Sequence, residues 1–427
     1  MAELAVVVPC LNEGENLRVL LPRIDTVVRE MGIHAETIVV DGGSRDGTPE
    51  IARQLGARVI LSKYAGYGGA LRAAFESVLS PYIVTLDADF SHHPAIVKYL
   101  YEMRDQADIL IASRYIQGGY ARTPWPRKIL SRVLNRVFRT VLSLNVHDAS
   151  SGFRLYRREA VVSLDLRHHT YAVLQEILTK AYCAGFQVAE IPFHYLPRRY
   201  GRSHARFLRL GHDYLGVLWE MWKVRNSIAS ADYDTRAFHS RIPLQRYWQR
   251  KRYQIVINYI GNRLRVLDVG CGSSQILNGA PQSVGIDIQR PKLRFMRRPG
   301  RRLVNGSVFD LPFRDERFEV VVCSQVIEHI PDGDNVFREI IRVLEPGGSL
   351  IIGTPDYGTL SWPIIEKVYK VVQPGGYADE HITHYSRRGL TKRLESFGLE
   401  VLDHRYVCGS ELIVHARKPA SADSAAP

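Results

Sequence analysis

The sequence predicts an α/β chain of two layered domains in series, and three observations predict it. Short apolar runs alternate with helical patterns, and they do so twice. Loops rich in Asp, Gly and Ser follow those runs, which is where open parallel sheets bind ligands. The length, 427 residues, exceeds one ordinary domain.

The first series predicts strands at 4–9, 36–41, 57–61, 82–87 and 108–112, with helices between them. A second series predicts strands at 265–269, 283–288, 302–304, 318–323, 349–353, 400–408 and 412–417. Between the two, the chain turns polar, aromatic and Arg-rich and shows no strand pattern. The expected division is a domain at 1–228, a linker at 229–249, a second domain at 250–418 and a disordered tail at 419–427. The two halves carry different motifs, so no internal repeat is expected.

Composition narrows the functional classes. Hydrophobic residues make up 45%, enough for buried cores. No apolar run reaches the ~18 residues that a spanning helix needs. The five cysteines are scattered with no C-x-x-C pair, which argues against a zinc site or a disulfide framework and fits a reducing cytoplasm. The net charge of +13 favours acidic partners such as nucleotides or phospholipid headgroups. No aromatic RNA-binding signature accompanies it, so a nucleic-acid partner is not expected.

Four loops of the first half can converge on one crevice: 9–13, 41–48, 66–72 and 87–94. The sharpest signal is Asp87-Ala-Asp89 after an apolar strand. Two carboxylates spaced i, i+2 at a strand end can grip one divalent cation together with a diphosphate. Alone, such a pair is weak evidence and more often marks an exposed acidic turn. The stretch 127–142 reads as a helix with a basic stripe (Lys128, Arg132, Arg136, Arg139) and a wide apolar arc. Such a helix suits a membrane interface or, more plainly, a core edge. The aromatic, Leu-rich segment 207–222 is a second candidate for membrane contact.

Taken in order, these loops resemble the family 2 inverting glycosyltransferases of GT-A fold, and within them the dolichyl- or polyprenyl-phosphate mannosyltransferases. Further matching pieces are 112–115, 127–132, Ser151-Gly-Phe-Arg-Leu-Tyr-Arg157, 190–193 and 199–203. The resemblance covers about residues 4–210. It implies that Pro9, Glu13 and Asp41 hold the base and ribose of a nucleotide-sugar, GDP-mannose by preference. It implies that Asp87, Asp89 and Ser91 form the Mg²⁺ or Mn²⁺ site, with Asp89 central to catalysis. Arg114 and Arg127 would bind the phosphate of a polyprenyl phosphate, as guanidinium suits phosphate. The enzyme would then be cytoplasmic, in peripheral contact with the inner face of the membrane. Three departures stand out: Gly42 replaces a usual second Asp, Ser91 replaces a Gln found in some relatives, and His204 replaces a usual Lys.

In the second half, Val266 to Gly272 ends a strand in a glycine-rich turn, and Asp287 ends the next strand. Glycine lets backbone approach a ligand, and the acid can accept ribose hydroxyls. By itself this suits a dinucleotide equally well. With 305–313, 318–324, 326–330 and 344–350 it resembles the Rossmann-like class I methyltransferases that use S-adenosylmethionine. The resemblance implies that Asp268, Gly270 and Gly272 line the methionine part, that Asp287 holds the ribose and that Ser307 lies at the adenine. His329 is the candidate base, with His381 or His384 facing it, and a packing role is its alternative. Some relatives bind metal through Glu-x-x-Glu-His, but Gln325 at the first position argues against ligation here.

Overall fold

The computed structural model describes residues 1–195, 207–372 and 381–420. The chain divides into two units, Met1–Arg225 and Asn226–Pro427. The final motif of the first half (199–203, with His204) and most of the expected tail lie outside the described residues.

The first unit begins with β1 (Leu4–Cys10), α1 (Gly14–Met31), β2 (Ala35–Asp41), α2 (Thr48–Gln54), β3 (Arg58–Leu61), α3 (Gly66–Ser77) and β4 (Tyr82–Thr85). It continues with α4 (Ala95–Glu102), β5 (Ile109–Ser113), β6 (Tyr120–Ala121), α5 (Trp125–Val141) and β7 (Arg154–Arg157). It closes with α6 (Glu159–Val162), α7 (Val173–Cys183), β8 (Val188–Pro192), β9 (His194–Tyr195) and α8 (Phe207–Asn226). Seven strands form one sheet in the order β3-β2-β1-β4-β7-β5-β8, and β6 pairs with β9 separately. All pairings in the large sheet are parallel except those of β7, which runs antiparallel to β4 and β5.

Residues 4–8 of β1 are fully buried, which explains their unbroken apolar run. A parallel strand covered on both faces has no polar side to alternate with. Ala5 and Val7 pack with α3 and α7 on one face, while Leu4, Val6 and Val8 meet α1 and α4 on the other. The chain leaves β1 first toward β2 and β3, then returns to β4 on the other side. That reversal opens a crevice at the carboxyl ends of β1 and β4.

The second unit runs α9 (Tyr233–Phe238), α10 (Pro243–Ile260), β10 (Val266–Val269), α11 (Ile276–Gly279), β11 (Val284–Asp287), α12 (Arg290–Met296) and β12 (Arg302–Asn305). Then follow β13 (Phe318–Ser324), a 3₁₀ turn at Ile327–His329, α13 (Asn335–Val343), β14 (Leu344–Pro355) and α14 (Ser361–Val372). The last elements are α15 (Arg387–Ser396), β15 (Glu400–Val407) and β16 (Glu411–Arg417). The sheet order is β12-β11-β10-β13-β14-β16-β15, parallel except for the pairings of β16.

The stretch 229–249, expected as a linker, instead carries α9 and the first turns of α10. The polar start of α10 hides an apolar end: Ile255, Val256 and Ile260 cover β10, β13 and β14. Among the described residues, no helix is long and apolar enough to cross a membrane.

Candidate functional site

In the first unit, β1 and β4 are parallel neighbours with Val7 opposite Thr85. The loops that follow them therefore open on the same edge. Pro9, Glu13, Asp87, Asp89, Arg114 and Arg127 all line one cavity of 680 Å³ there. Two expected members do not line it. Asp41 is 2% exposed, and its Oδ2 accepts the Gly43 and Ser44 N–H groups at 2.9 and 3.0 Å. It shapes the turn, which needs Gly43 at φ +97°, and leaves Gly42 on the cavity wall.

Ser91, expected as a metal ligand, is fully buried. Its hydroxyl donates to Asp89 Oδ1, and its N–H donates to the same oxygen at 3.0 Å. The Ser91 hydroxyl and N–H together fix the Asp89 carboxylate. The backbone of Asp87 is held in its turn by His92. Its N–H donates to His92 Nδ1 at 2.9 Å, so the proton of the neutral ring sits on Nε2, 3.8 Å from Asp87 Oδ2. Burial lowers the pKa of His92, which stacks on Phe153 at 4.8 Å.

Arg114 is not a lone phosphate hook. Asp148, fully buried, takes Nε and Nη2 as a fork at 2.7 Å each, and Ser150 takes Nη2 as well at 2.8 Å. This pair holds the Asp148 carboxyl below the usual range despite its burial. Among the described residues, Nη1 has no hydrogen-bond acceptor. Arg127 stands exposed at the start of α5.

One wall of the same cavity is apolar. Leu130, Val133 and Val137 of α5 and Leu215 of α8 line it. They remain 55%, 53%, 39% and 69% exposed, an unusual density of bare aliphatic surface. Opposite them, Gly152 is required by contact: a Cβ there would lie 2.5 Å from the Tyr67 hydroxyl and 3.5 Å from Asp87 Oδ1. That explains the glycine in the Ser-Gly-Phe stretch.

In the second unit, all six expected residues, Asp268, Gly270, Gly272, Asp287, Ser307 and His329, line one cavity of 310 Å³. The parallel register of β10 with β11 and β13 puts their ends side by side. Asp287 braces the glycine turn, accepting the Gly272 N–H at 2.8 Å and the Gln289 N–H at 2.7 Å. Burial pushes the Asp268 carboxyl up to about 8, aided by Asp287 and Asp234 and opposed by the Ser274 hydroxyl. Ser307 Oγ accepts the Phe309 N–H at 3.2 Å.

His329 faces His381, with ring centroids 4.9 Å apart, whereas His384 stacks on Tyr357 at 3.9 Å. Ligand-type atoms of Glu328, His329 and His381 lie within 4.8 Å of one another. Gln325 lines the same cavity and donates to Glu411 at 3.3 Å. Glu328 is fully buried, which pushes its carboxyl up to about 8.

Known proteins resemble two separate stretches of the chain. The family model "Glycosyl transferase family 2" matches residues 5–164, and the model "Methyltransferase domain" matches residues 267–352. The polyprenol monophosphomannose synthase of Mycolicibacterium smegmatis is 35% identical over 213 residues, covering 46% of this chain and 79% of that protein. The dolichol-phosphate mannosyltransferase of Pyrococcus furiosus is 33% identical over 232 residues, covering 51% of this chain and 64% of the relative, less than two thirds of its length. Among solved structures, glucosyl-3-phosphoglycerate synthase from Mycobacterium tuberculosis, in complex with Mn²⁺, UDP-glucose and phosphoglyceric acid, matches with 22% identity and a TM-score of 0.42, over 52% of this chain and 80% of that one. A S-adenosylmethionine-dependent methyltransferase of Thermotoga maritima, described as a possible histamine N-methyltransferase, matches with 19% identity and a TM-score of 0.36, over 43% of this chain and 94% of that one. The chain therefore belongs to the family 2 glycosyltransferases, among the relatives of the polyprenol-phosphate mannose synthases, and carries a methyltransferase domain behind its GT-A domain.

Proposed function

We propose that the first domain transfers a hexose, mannose from GDP-mannose, to a polyprenyl phosphate with inversion. One observation carries this reading: acids, arginines and a bare aliphatic wall share a single cavity. A sugar-diphosphate needs the acids and a cation, a phosphate needs the arginines, and a prenyl chain needs the wall. Two relatives support the sugar and the acceptor by their names, a polyprenol monophosphomannose synthase and a dolichol-phosphate mannosyltransferase.

Asp87 and Asp89 fit a divalent cation, because both residues line the cavity, Ser91 holds the Asp89 carboxylate and His92 holds the Asp87 backbone. Mg²⁺ or Mn²⁺ bound there would neutralise charge on the departing diphosphate. Arg114 would present Nη1 to the acceptor phosphate while Asp148 keeps its plane fixed, and Arg127 would approach from α5. An acceptor phosphate oxygen then attacks the anomeric carbon. That C–O bond forms as the bond to the donor diphosphate breaks, and the nucleoside diphosphate leaves with the electron pair. The phosphate is already an anion near neutral pH, so positioning and electrostatics do the work and no strong base is required. Pro9 and Glu13 would meet the nucleoside. The exposed residues Trp125 and Ile129, beside Arg132 and Arg136, support peripheral contact of α5 with a membrane surface at its inner face.

We propose further that the second domain binds S-adenosylmethionine and methylates a glycan, a lipid-linked intermediate or another small acceptor. Asp268 and Asp287 would face the cationic cofactor, Ser307 its adenine and His329 the acceptor.

A donor panel tests the first reading. GDP-mannose, UDP-glucose and UDP-N-acetylglucosamine, each with labelled sugar, are incubated with polyprenyl phosphate with and without chelator. Label should enter the organic phase from GDP-mannose and only without chelator. Label that stays in water, on a glycan acceptor, would replace the lipid by a saccharide.

A further inference from the structure

The second cavity holds a charged pair that the cofactor resemblance does not account for. Lys292 of α12 is 7% exposed, a rare position for lysine unless it is paired. Its Nζ lies 3.5 Å from Asp234 Oδ2, and both residues line the cavity beside the glycine turn. Asp234 comes from α9, in the stretch expected as a linker.

The carboxylate is fastened to the turn. Asp234 Oδ2 accepts the N–H and the hydroxyl of Ser273 at 3.1 Å each, and the Asp234 N–H donates back to Ser273 Oγ at 3.1 Å. Thr235 Oγ1 donates to the Ser273 carbonyl at 2.7 Å. Gly272, at φ +51°, is what admits the pair. A Cβ on it would stand 2.8 Å from Asp234 Oδ2 and 3.6 Å from Lys292 Nζ.

The charges around this turn are otherwise acidic: Asp268 and Asp287 line the cavity as well. The other basic lining group, Arg252, is held by Glu411 at 2.7 Å. Lys292 thus supplies positive charge at the turn, next to a negative one. A zwitterion needs that juxtaposition, and the amino-acid end of S-adenosylmethionine is a zwitterion.

We propose that Asp234 and Lys292 together read the aminocarboxypropyl arm of the cofactor, Asp234 meeting its ammonium and Lys292 its carboxylate. The inference rests on the reading that this domain binds S-adenosylmethionine, and it names two residues that set specificity for the arm.

The full chain is titrated calorimetrically with S-adenosylmethionine and with 5′-methylthioadenosine, which keeps the adenosine and the thioether but lacks the arm. Wild type should bind both. Lys292→Met, which keeps the length of the stem, should weaken S-adenosylmethionine about tenfold or more and leave 5′-methylthioadenosine unchanged. Asp234→Asn, nearly isosteric, should do the same. Equal weakening of both ligands would make the pair a brace for the fold, and no weakening of either would leave it idle; each outcome overturns the inference alone. Failure of wild type to bind S-adenosylmethionine overturns the cofactor reading and the inference with it.

Discussion

The two cavities use one architectural idea for opposite charges. Both open at the carboxyl ends of parallel strands where the chain reverses direction across a sheet. The first, at 680 Å³, sets acids against arginines and adds an aliphatic wall. The second, at 310 Å³, is ringed by carboxylates with a buried lysine among them. The proposed ligands follow this split: two phosphate anions and a prenyl chain in one, a sulfonium cation in the other. Position at the sheet edge comes from topology, but ligand sign comes from loop side chains and from the groups that hold them.

The contrast breaks first at the acid pair. Asp89→Ala should lower kcat for sugar transfer by about 10³-fold or more with the fold intact by circular dichroism. It should leave cofactor binding by the second domain untouched in calorimetry. Full turnover in this variant would remove the anionic-ligand reading of the first cavity.

The next largest effect falls on Asp148. Removing it leaves the Arg114 guanidinium unpaired in a largely buried site, where its side chain is 14% exposed. Asp148→Ala should cost about 3–5 kcal/mol and lower the melting temperature by roughly 10 °C. Arg127→Ala, on the exposed face of α5, should leave melting unchanged and raise the acceptor KM. Differential scanning fluorimetry with acceptor kinetics separates the two arginines into one held by the fold and one held by the ligand.

A smaller effect tests the second cavity. Burial disfavours the charged form of Asp268 and pushes its carboxyl up to about 8. Without cofactor, its contribution to folding is complete below 3.8 and is lost as pH rises through about 8. A cationic cofactor favours the ionised form. Affinity for S-adenosylmethionine should therefore rise between about pH 6 and about pH 8, with proton release on binding. S-adenosylhomocysteine, which lacks the sulfonium charge, should show a shallower slope. Calorimetry in buffers of different ionisation enthalpy measures both.

The smallest effect sharpens the role of Ser91. Because its hydroxyl supports Asp89 from behind, Ser91→Ala should reduce kcat only about three- to tenfold. A metal ligand would instead shift the apparent Mn²⁺ affinity strongly, and a metal titration decides between the two.

How much of this was legible in the sequence depended on whether the signal was local. Strands such as β1 and β13 announce themselves, because burial on both faces demands an unbroken apolar run. The acid pair and the glycine turn sit in contiguous loops and were readable as motifs. β7 was not: Arg154-Leu-Tyr-Arg157 is short and charged at both ends, and Arg154 is buried only because the carbonyls of Ala149, Ser151 and Leu174 receive its guanidinium. Asp148 pairs with a residue 34 positions away, and Asp234 with a turn 39 positions away. Nothing in the spacing marks such partners. The stretch 229–249 looked like a connector because the residues it buries lie beyond its end, in the last turns of α10.

The central claim is that Asp87 and Asp89 hold a divalent cation against a sugar nucleotide. Calorimetric titration of GDP-mannose into the full chain, with and without Mn²⁺, tests it most directly. The account predicts at least tenfold tighter binding with the cation in wild type, and no such gain in Asp89→Ala. Equal affinity with and without Mn²⁺ in wild type would contradict it.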